Sequence, residues 1–314
     1  MKLNVIVPCY NEEGNVELLH KKLSEALKEI DYELIFVNDG SKDNTYEKLN
    51  ELYSIDKKHI RVINFSRNFG KDAALFAGLS HANAVYTVII DGDCQQNPKY
   101  LLEMMDYLDK HEDIDQVAMI NKTRDKEGII TKMLKGTFYS FINMISDTKF
   151  VKGASDFRMF RKNVVTAINQ LPENNRFSKG IFSWIGFNTH YMEYKVEERH
   201  SGKAFFNIKN QFKYAVNGII NFSVKPLRIA TFMGSLFSTG SFIYLLVIII
   251  QTLATGADVP GYPSTICIIL LLGGLQLLAV GILGEYISKA YLETKKRPIY
   301  LTKNKLGFND ENIL

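Results

Sequence analysis

The chain has 314 residues, 46% of them hydrophobic and 23% charged, with a formal net charge of +4. That length holds one large domain plus an appendage, and that balance excludes a disordered chain. So small a charge gives no argument for nucleic acid. Three scattered cysteines, Cys9, Cys94 and Cys267, form no Cys-x-x-Cys pair and no disulfide framework, which suits a reducing cytosolic face.

Leu3 to Val7 predicts a buried first strand. The polar Tyr10-Asn11-Glu12-Glu13 follows at once, so this apolar stretch does not read as a signal peptide. Val16, Leu19, Leu23, Leu27 and Ile30 recur at helical spacing. Glu33 to Val37 predicts a second strand, and the helix after it turns Leu49 and Leu52 inward. Ile60 to Phe65 predicts a third strand, Lys71 to His81 a third helix, and Val85 to Ile90 a fourth strand. Alternating strands and helices predict an α/β fold with right-handed crossovers and a mainly parallel sheet.

Each strand ends in polar residues: Pro8 to Glu12, Asn38-Asp39, Ser66 to Lys71, then Asp91 and Asp93. In open α/β sheets that is the edge where ligands bind. Two aspartates at i, i+2 beyond a strand can converge on one hard divalent cation, which can hold a diphosphate. An ordinary turn uses the same residue types. No Gly-x-Gly-x-x-Gly follows the first strand and no Gly-x-x-x-x-Gly-Lys-Ser/Thr occurs, so dinucleotide and P-loop readings are disfavoured.

Val-Pro-Cys-Tyr-Asn-Glu-Glu (7–13), Val-Asn-Asp-Gly-Ser-Lys-Asp-Asn-Thr (37–45), Ser-Arg-Asn-Phe-Gly-Lys (66–71) and Asp-Gly-Asp-Cys-Gln (91–95) stand in the order and spacing of family 2 glycosyltransferases with a GT-A fold. The chain most resembles the branch that moves a sugar from a nucleotide onto polyprenyl phosphate, which includes bacterial bactoprenol glycosyltransferases and dolichyl-phosphate mannose synthase. The resemblance implies that Pro8, Tyr10, Glu12, Asp39, Lys71 and Asp91 bind the donor. It implies that Asp91, Asp93 and Gln95 lie on the metal side, with Mg²⁺ or Mn²⁺ as the ion. The family pattern Asp-x-Asp-Leu-Gln-Asp-Pro-Pro is broken at Cys94, Gln96 and Asn97. Cys94 reads as a packing residue.

Among the basic residues from 119 to 144, Arg124 and Lys132 sit nearest the positions that receive the lipid phosphate in the family. A solvated face is the plain alternative for such a run. Gly153-Ala-Ser-Asp156-Phe-Arg158 matches the family's small-x-x-Asp-Phe-Arg stretch. By resemblance Asp156 lies near the sugar and the attacking phosphate; a helix cap or an ion pair with Arg158 is its other reading. Glu198 to Lys203 resembles a loop in which Arg199 stabilises the leaving diphosphate, although Ala204 and Phe205 replace that loop's Ser and Lys. The implied catalytic set is Asp93, Asp156 and Arg199. Trp184 flanks the acceptor or joins the core. The Gln-x-x-Arg-Trp motif of processive synthases is absent, which argues for transfer of a single sugar.

Four segments are expected: a catalytic domain at 1–204, an amphipathic juxtamembrane helix at 205–226, a transmembrane hairpin at 227–288 and a tail at 289–314. Ile229 to Ala254 carries no charge and Thr265 to Ile287 only Glu285, and each is long enough to span a bilayer. Lys225 and Arg228 flank one end; Lys289, Lys295, Lys296 and Arg297 flank the other. The positive-inside rule then puts the catalytic domain and both termini in the cytoplasm of a multi-pass cell-membrane protein.

The expected reaction is inverting transfer of one sugar, from UDP-glucose or UDP-N-acetylglucosamine, to undecaprenyl phosphate, for wall or surface glycans. Partners implied are the donor, the lipid acceptor, the membrane, a homo-oligomer such as a tetramer, and a downstream flippase and glycosyltransferase. The rivals are transfer to a glycerolipid hydroxyl and an inactive membrane scaffold.

Overall fold

The computed structural model describes residues 1–121, 151, 153–171, 173–174, 176–197, 220, 223–255 and 261–308. The first half alternates as expected: β1 (Leu3–Cys9), α1 (Val16–Leu27), β2 (Tyr32–Asn38), α2 (Thr45–Ile55), β3 (Ile60–Phe65), α3 (Lys71–His81), β4 (Tyr86–Ile89) and α4 (Lys99–Lys110). Then come β5 (Gln116–Asn121), β6 (Ala154–Arg161), α5 (Lys162–Asn169), α6 (Ser178–Trp184) and β7 (Thr189–Tyr194). Two long helices, α7 (Lys225–Thr255) and α8 (Tyr262–Thr294), precede a last strand, β8 (Thr302–Leu306).

One sheet runs in the order β7-β5-β6-β4-β1-β2-β3-β8. β1 pairs in parallel with both β2 and β4, and β2 with β3. β6 is antiparallel to β4 and β5, and β8 is antiparallel to β3. The chain steps outward from β1 to β3 and then returns to place β4 on the other side of β1. That reversal opens a crevice at the carboxyl ends of β1 and β4, where doubly wound sheets bind ligands.

The central strands are mostly apolar because helices cover both faces. On one face Val5, Val7, Val88 and Phe157 pack with Leu19 and Leu23 of α1 and Met104 of α4. On the other, Ile6 and Ile89 meet Leu75 and Leu79 of α3, while Ile35, Val37 and Ile63 meet Ala73, Ala74 and Ala77. Small residues let α3 lie close: a Cβ on Gly78 would stand 2.3 Å from Ile6 Cγ2. This sets the N-terminus of α3, and with it Lys71, at the crevice.

α7 and α8 present exposed apolar flanks, including Phe232, Leu236, Leu270 and Leu277. At 31 and 33 residues, each is about 47–50 Å long, more than the hydrocarbon thickness of a bilayer of about 30 Å. Both are long and apolar enough to cross a membrane. Pro226 occupies the first turn of α7, where its missing N–H costs nothing.

Part of the tail expected at 289–314 returns to the catalytic domain. α8 continues past 288 to Thr294, and Thr302–Leu306 returns as an edge strand of the catalytic sheet. An amide ladder fastens it: Asn38 Nδ2 donates to Asn64 Oδ1 (2.8 Å), and Asn64 Nδ2 donates to Asn304 Oδ1 (2.7 Å). The segment from Asn304 onward carries no motif, so only pairing with β3 reveals its place. The juxtamembrane helix expected at 205–226 lies outside the described residues apart from Ile220 and residues 223–226.

Candidate active site

A cleft of about 740 Å³ at the reversal is lined by Pro8, Tyr10, Glu12, Asp39, Lys71, Asp91 and Asp93. The six expected donor residues and one expected catalytic aspartate therefore share one cavity, although they come from four separate stretches of chain. A larger cleft of about 1070 Å³, between α3, the end of α8 and β8, contains none of the expected site residues.

The loops of the cleft brace one another. Asp39 is buried, and its carboxylate accepts hydrogen bonds from the backbone N–H groups of Phe69 (2.7 Å) and Gly70 (3.0 Å). It thereby shapes the 66–70 loop while Asp39 itself lines the cleft. Burial pushes its carboxyl above the usual value, against the opposing pull of those N–H groups. Gly40 has φ +61°, and a Cβ there would come within 2.3 Å of the Arg67 carbonyl carbon, so the two loops touch backbone to backbone. Gly70, at φ +97°, turns the chain into α3 and delivers Lys71.

Lys71 forms the electrostatic centre. Its Nζ lies 2.7 Å from Asp91 Oδ1 and 2.8 Å from Asp156 Oδ2. Asp156 stands on β6, so the helix-cap reading is excluded, and its ion-pair partner is Lys71. Burial would raise the Asp156 carboxyl, but Lys71, Lys179 and Arg158 outweigh it and hold the group down to about 2. Conversely, burial opposes the charge on Lys71, and the two carboxylates overcome it and raise its pKa well above the usual lysine range. Asp156 Oδ1 is buried without a hydrogen-bond partner among the described residues.

Asp91 is held at two further points. Its backbone N–H donates to Gln96 Oε1 (3.0 Å), and its Oδ2 accepts from Gln96 Nε2 (2.8 Å). Asp93 Oδ1 accepts from the backbone N–H of Gln95 (3.2 Å). Gln95 Nε2 donates to the backbone oxygen of Glu197 (3.3 Å). Cys94 is buried, as a packing residue should be, and burial pushes its thiol up to about 11.

Among the described residues, no group of three or more His, Cys, Asp and Glu side chains forms a closed metal cage. The cleft instead presents two carboxylates at one strand end. That donor set fits a hard cation that completes its shell with diphosphate oxygens and water. Trp184 is exposed at the end of α6, outside the core. Arg124, Lys132 and Arg199 lie outside the described residues.

Sequence reasoning missed two residues. Gln96 appeared only as a break in a pattern. Glu197 carried no signal, yet its carboxylate accepts from Asn97 Nδ2 (2.5 Å) and pairs with Lys22 (2.9 Å), clasping the 91–97 loop.

Residues 4–168 match the model of glycosyl transferase family 2. This chain belongs to that family. Residues 225–290 match a second model, the GtrB C-terminal hairpin, which covers nearly all of α7 and α8. The chain is 39% identical over 306 residues to the bactoprenol glucosyl transferase of Shigella phage SfV, covering 97% of this chain and 99% of that one. It is 38% identical over 305 residues to the prophage bactoprenol glucosyl transferase homolog of Escherichia coli (strain K12), covering 96% and 99%. It is also 38% identical over 309 residues to the glycosyltransferase sll0501 of Synechocystis, covering 98% and 96%. The family 2 glycosyltransferase is thus a GT-A-like α/β sheet carrying a GtrB-type hairpin of two apolar helices.

Proposed function

We propose that this glycosyltransferase moves one sugar, with inversion, from a UDP-sugar to polyprenyl phosphate at the membrane surface. The observation that carries this reading is full-length similarity to bactoprenol glucosyl transferases, hairpin included. Those names favour glucose over N-acetylglucosamine as the transferred group.

Asp91 and Asp93 would hold Mg²⁺ or Mn²⁺, which when bound neutralises charge on the donor diphosphate. Pro8, Tyr10 and Glu12 would bound the nucleoside. A phosphate monoester has a second pKa near 6, so at neutral pH the acceptor is already mostly a nucleophile. An oxygen of that phosphate attacks the anomeric carbon as the bond to the leaving diphosphate oxygen breaks. No proton needs removal, and Asp156, held at about 2, is a poor base. Its role is to orient Lys71 and, through the free Oδ1, to accept a hydroxyl of the sugar. Arg124 and Lys132 would receive the acceptor phosphate, and Arg199 the leaving diphosphate.

A glycerolipid acceptor would require a base to take the hydroxyl proton, and the low pKa of Asp156 disfavours it. The basic flanks of α7 and α8 favour a cytoplasmic catalytic domain and cytoplasmic termini. Gly234 and Ser238 offer a small-residue face for a homo-oligomer. The lipid-linked product would call for a flippase and a second transferase.

The test is transfer of labelled sugar from a panel of UDP- and GDP-sugars to undecaprenyl phosphate, with Mg²⁺ or Mn²⁺. A metal-dependent lipid product, lost in Asp93→Ala, supports the reading and names the donor. No lipid product from folded, membrane-inserted protein with any donor overturns it.

A further inference from the structure

We propose that Gln96 is a positioning residue of the transfer reaction, acting through Asp91 and Lys71. Gln96 is 4% exposed, so water cannot take over its hydrogen bonds. Asp91 presents one donor, its backbone N–H, and one acceptor, Oδ2. The carboxamide of Gln96 answers with one acceptor and one donor, at 3.0 and 2.8 Å. This two-point clasp fixes both the backbone and the carboxylate plane of Asp91. The remaining oxygen, Oδ1, is thereby aimed at Lys71 Nζ 2.7 Å away, and Lys71 reaches Asp156 at 2.8 Å. A line of contacts thus runs from the loop after β4, across the N-terminus of α3, to β6.

The chemistry at position 96 is specific. A glutamate has the same shape but offers two acceptors, so one of its oxygens would face Asp91 Oδ2 with no hydrogen between them. A leucine fills similar volume and makes neither bond. Gln96 does not line the cleft, so its effect reaches the reactants only through Asp91 and Lys71. The neutral side chain is therefore a working part of the site, in a position where the family pattern carries aspartate.

The inference rests on the proposed transfer reaction, and turnover by the wild-type protein in the same assay establishes that reaction independently. The experiment measures kcat and donor KM for the full chain and for Gln96→Leu, Gln96→Glu, Lys71→Met and the Gln96→Leu/Lys71→Met pair. Melting temperature is recorded for each. Both Gln96 variants should lose about tenfold or more in kcat, with donor KM within about threefold. In the Lys71→Met background, Gln96→Leu should cost less in kcat than it does alone, because the contact to Lys71 is already gone and only the hold on Asp91 remains to be lost. Three results would overturn the proposal: kcat within twofold of wild type in a folded Gln96 variant, losses that multiply in the double variant, or a rise in KM with kcat unchanged. If Gln96→Leu does not fold, Gln96→Glu alone decides, since it preserves side-chain volume.

Discussion

The two halves of the catalytic sheet are built differently. β1 to β4 form a parallel set, covered by helices on both faces, and their carboxyl ends carry almost every donor residue. The other half is mixed. β6 enters antiparallel between β4 and β5, and β7 is mostly half-buried; β8 lies at the opposite edge of the sheet, antiparallel to β3. The first half therefore builds a binding edge from local sequence, while the second supplies single residues to that edge from a distance. Asp156 is the clearest case: β6 carries it to Lys71, 85 positions earlier in the chain.

Substitutions can test this division. The largest effect is expected at the parallel edge itself: Asp93→Ala should lower kcat by about 10²-fold or more, because stabilisation of developing charge is lost. Labelled lipid product reads this, and an unchanged melting temperature separates it from misfolding. Next comes the residue that the mixed half contributes. Asp156→Asn should lower kcat by about tenfold through lost orientation while leaving measurable turnover. Near-abolition would instead make Asp156 a base.

The pH profile sharpens the same point. Asp156 is held at about 2, below its ordinary 3.8, by Lys71 and its neighbours against the upward push of burial. With a depressed folded value, the stabilisation is complete above the ordinary value and is lost only as pH falls toward 2. An acid limb of kcat near pH ~6 should therefore belong to the acceptor phosphate and persist in Asp156→Asn. A limb that vanished in that variant would assign the titration to the enzyme.

Smaller effects belong to the far edge. Asn304→Ala removes the acceptor for Asn64 and should cost about 1–2 kcal/mol of stability, with kcat within twofold. Thermal unfolding with parallel turnover measures both. Trp184→Ala, at an exposed position, should change stability by no more than about 0.5 kcal/mol. A clear fall in acceptor affinity in that variant would bring the α6 end into the acceptor site.

How much could be read in advance follows the same boundary. Ile60 to Phe65 and Lys71 to His81 were bounded to the residue by apolar pattern and turn chemistry, since a strand buried on both faces reads as an unbroken apolar run. β7, Thr189–Tyr194, mixes His190, Glu193 and Tyr194 on a mostly half-buried strand, so no run marks it. β8, with sequence Thr-Lys-Asn-Lys-Leu, is mostly polar and exists because β3 has a free edge. The two helices long and apolar enough to span a bilayer were plain from length and composition, which a bilayer demands of any helix that crosses it.

Sequence alone thus determined the α/β alternation, the polar strand ends, the carboxylate pair and the apolar helical hairpin, because each is written in contiguous residues. Only the tertiary structure decided which residues meet. It set Lys71 between Asp91 and Asp156, turned Asp39 onto a loop and Gln95 onto Glu197, made Gln96 the clasp of Asp91, and returned Asn304 to the sheet. Hydrogen bonds and ion pairs act over about 3 Å in space whatever the distance along the chain, and only the folded sheet brings those partners that close.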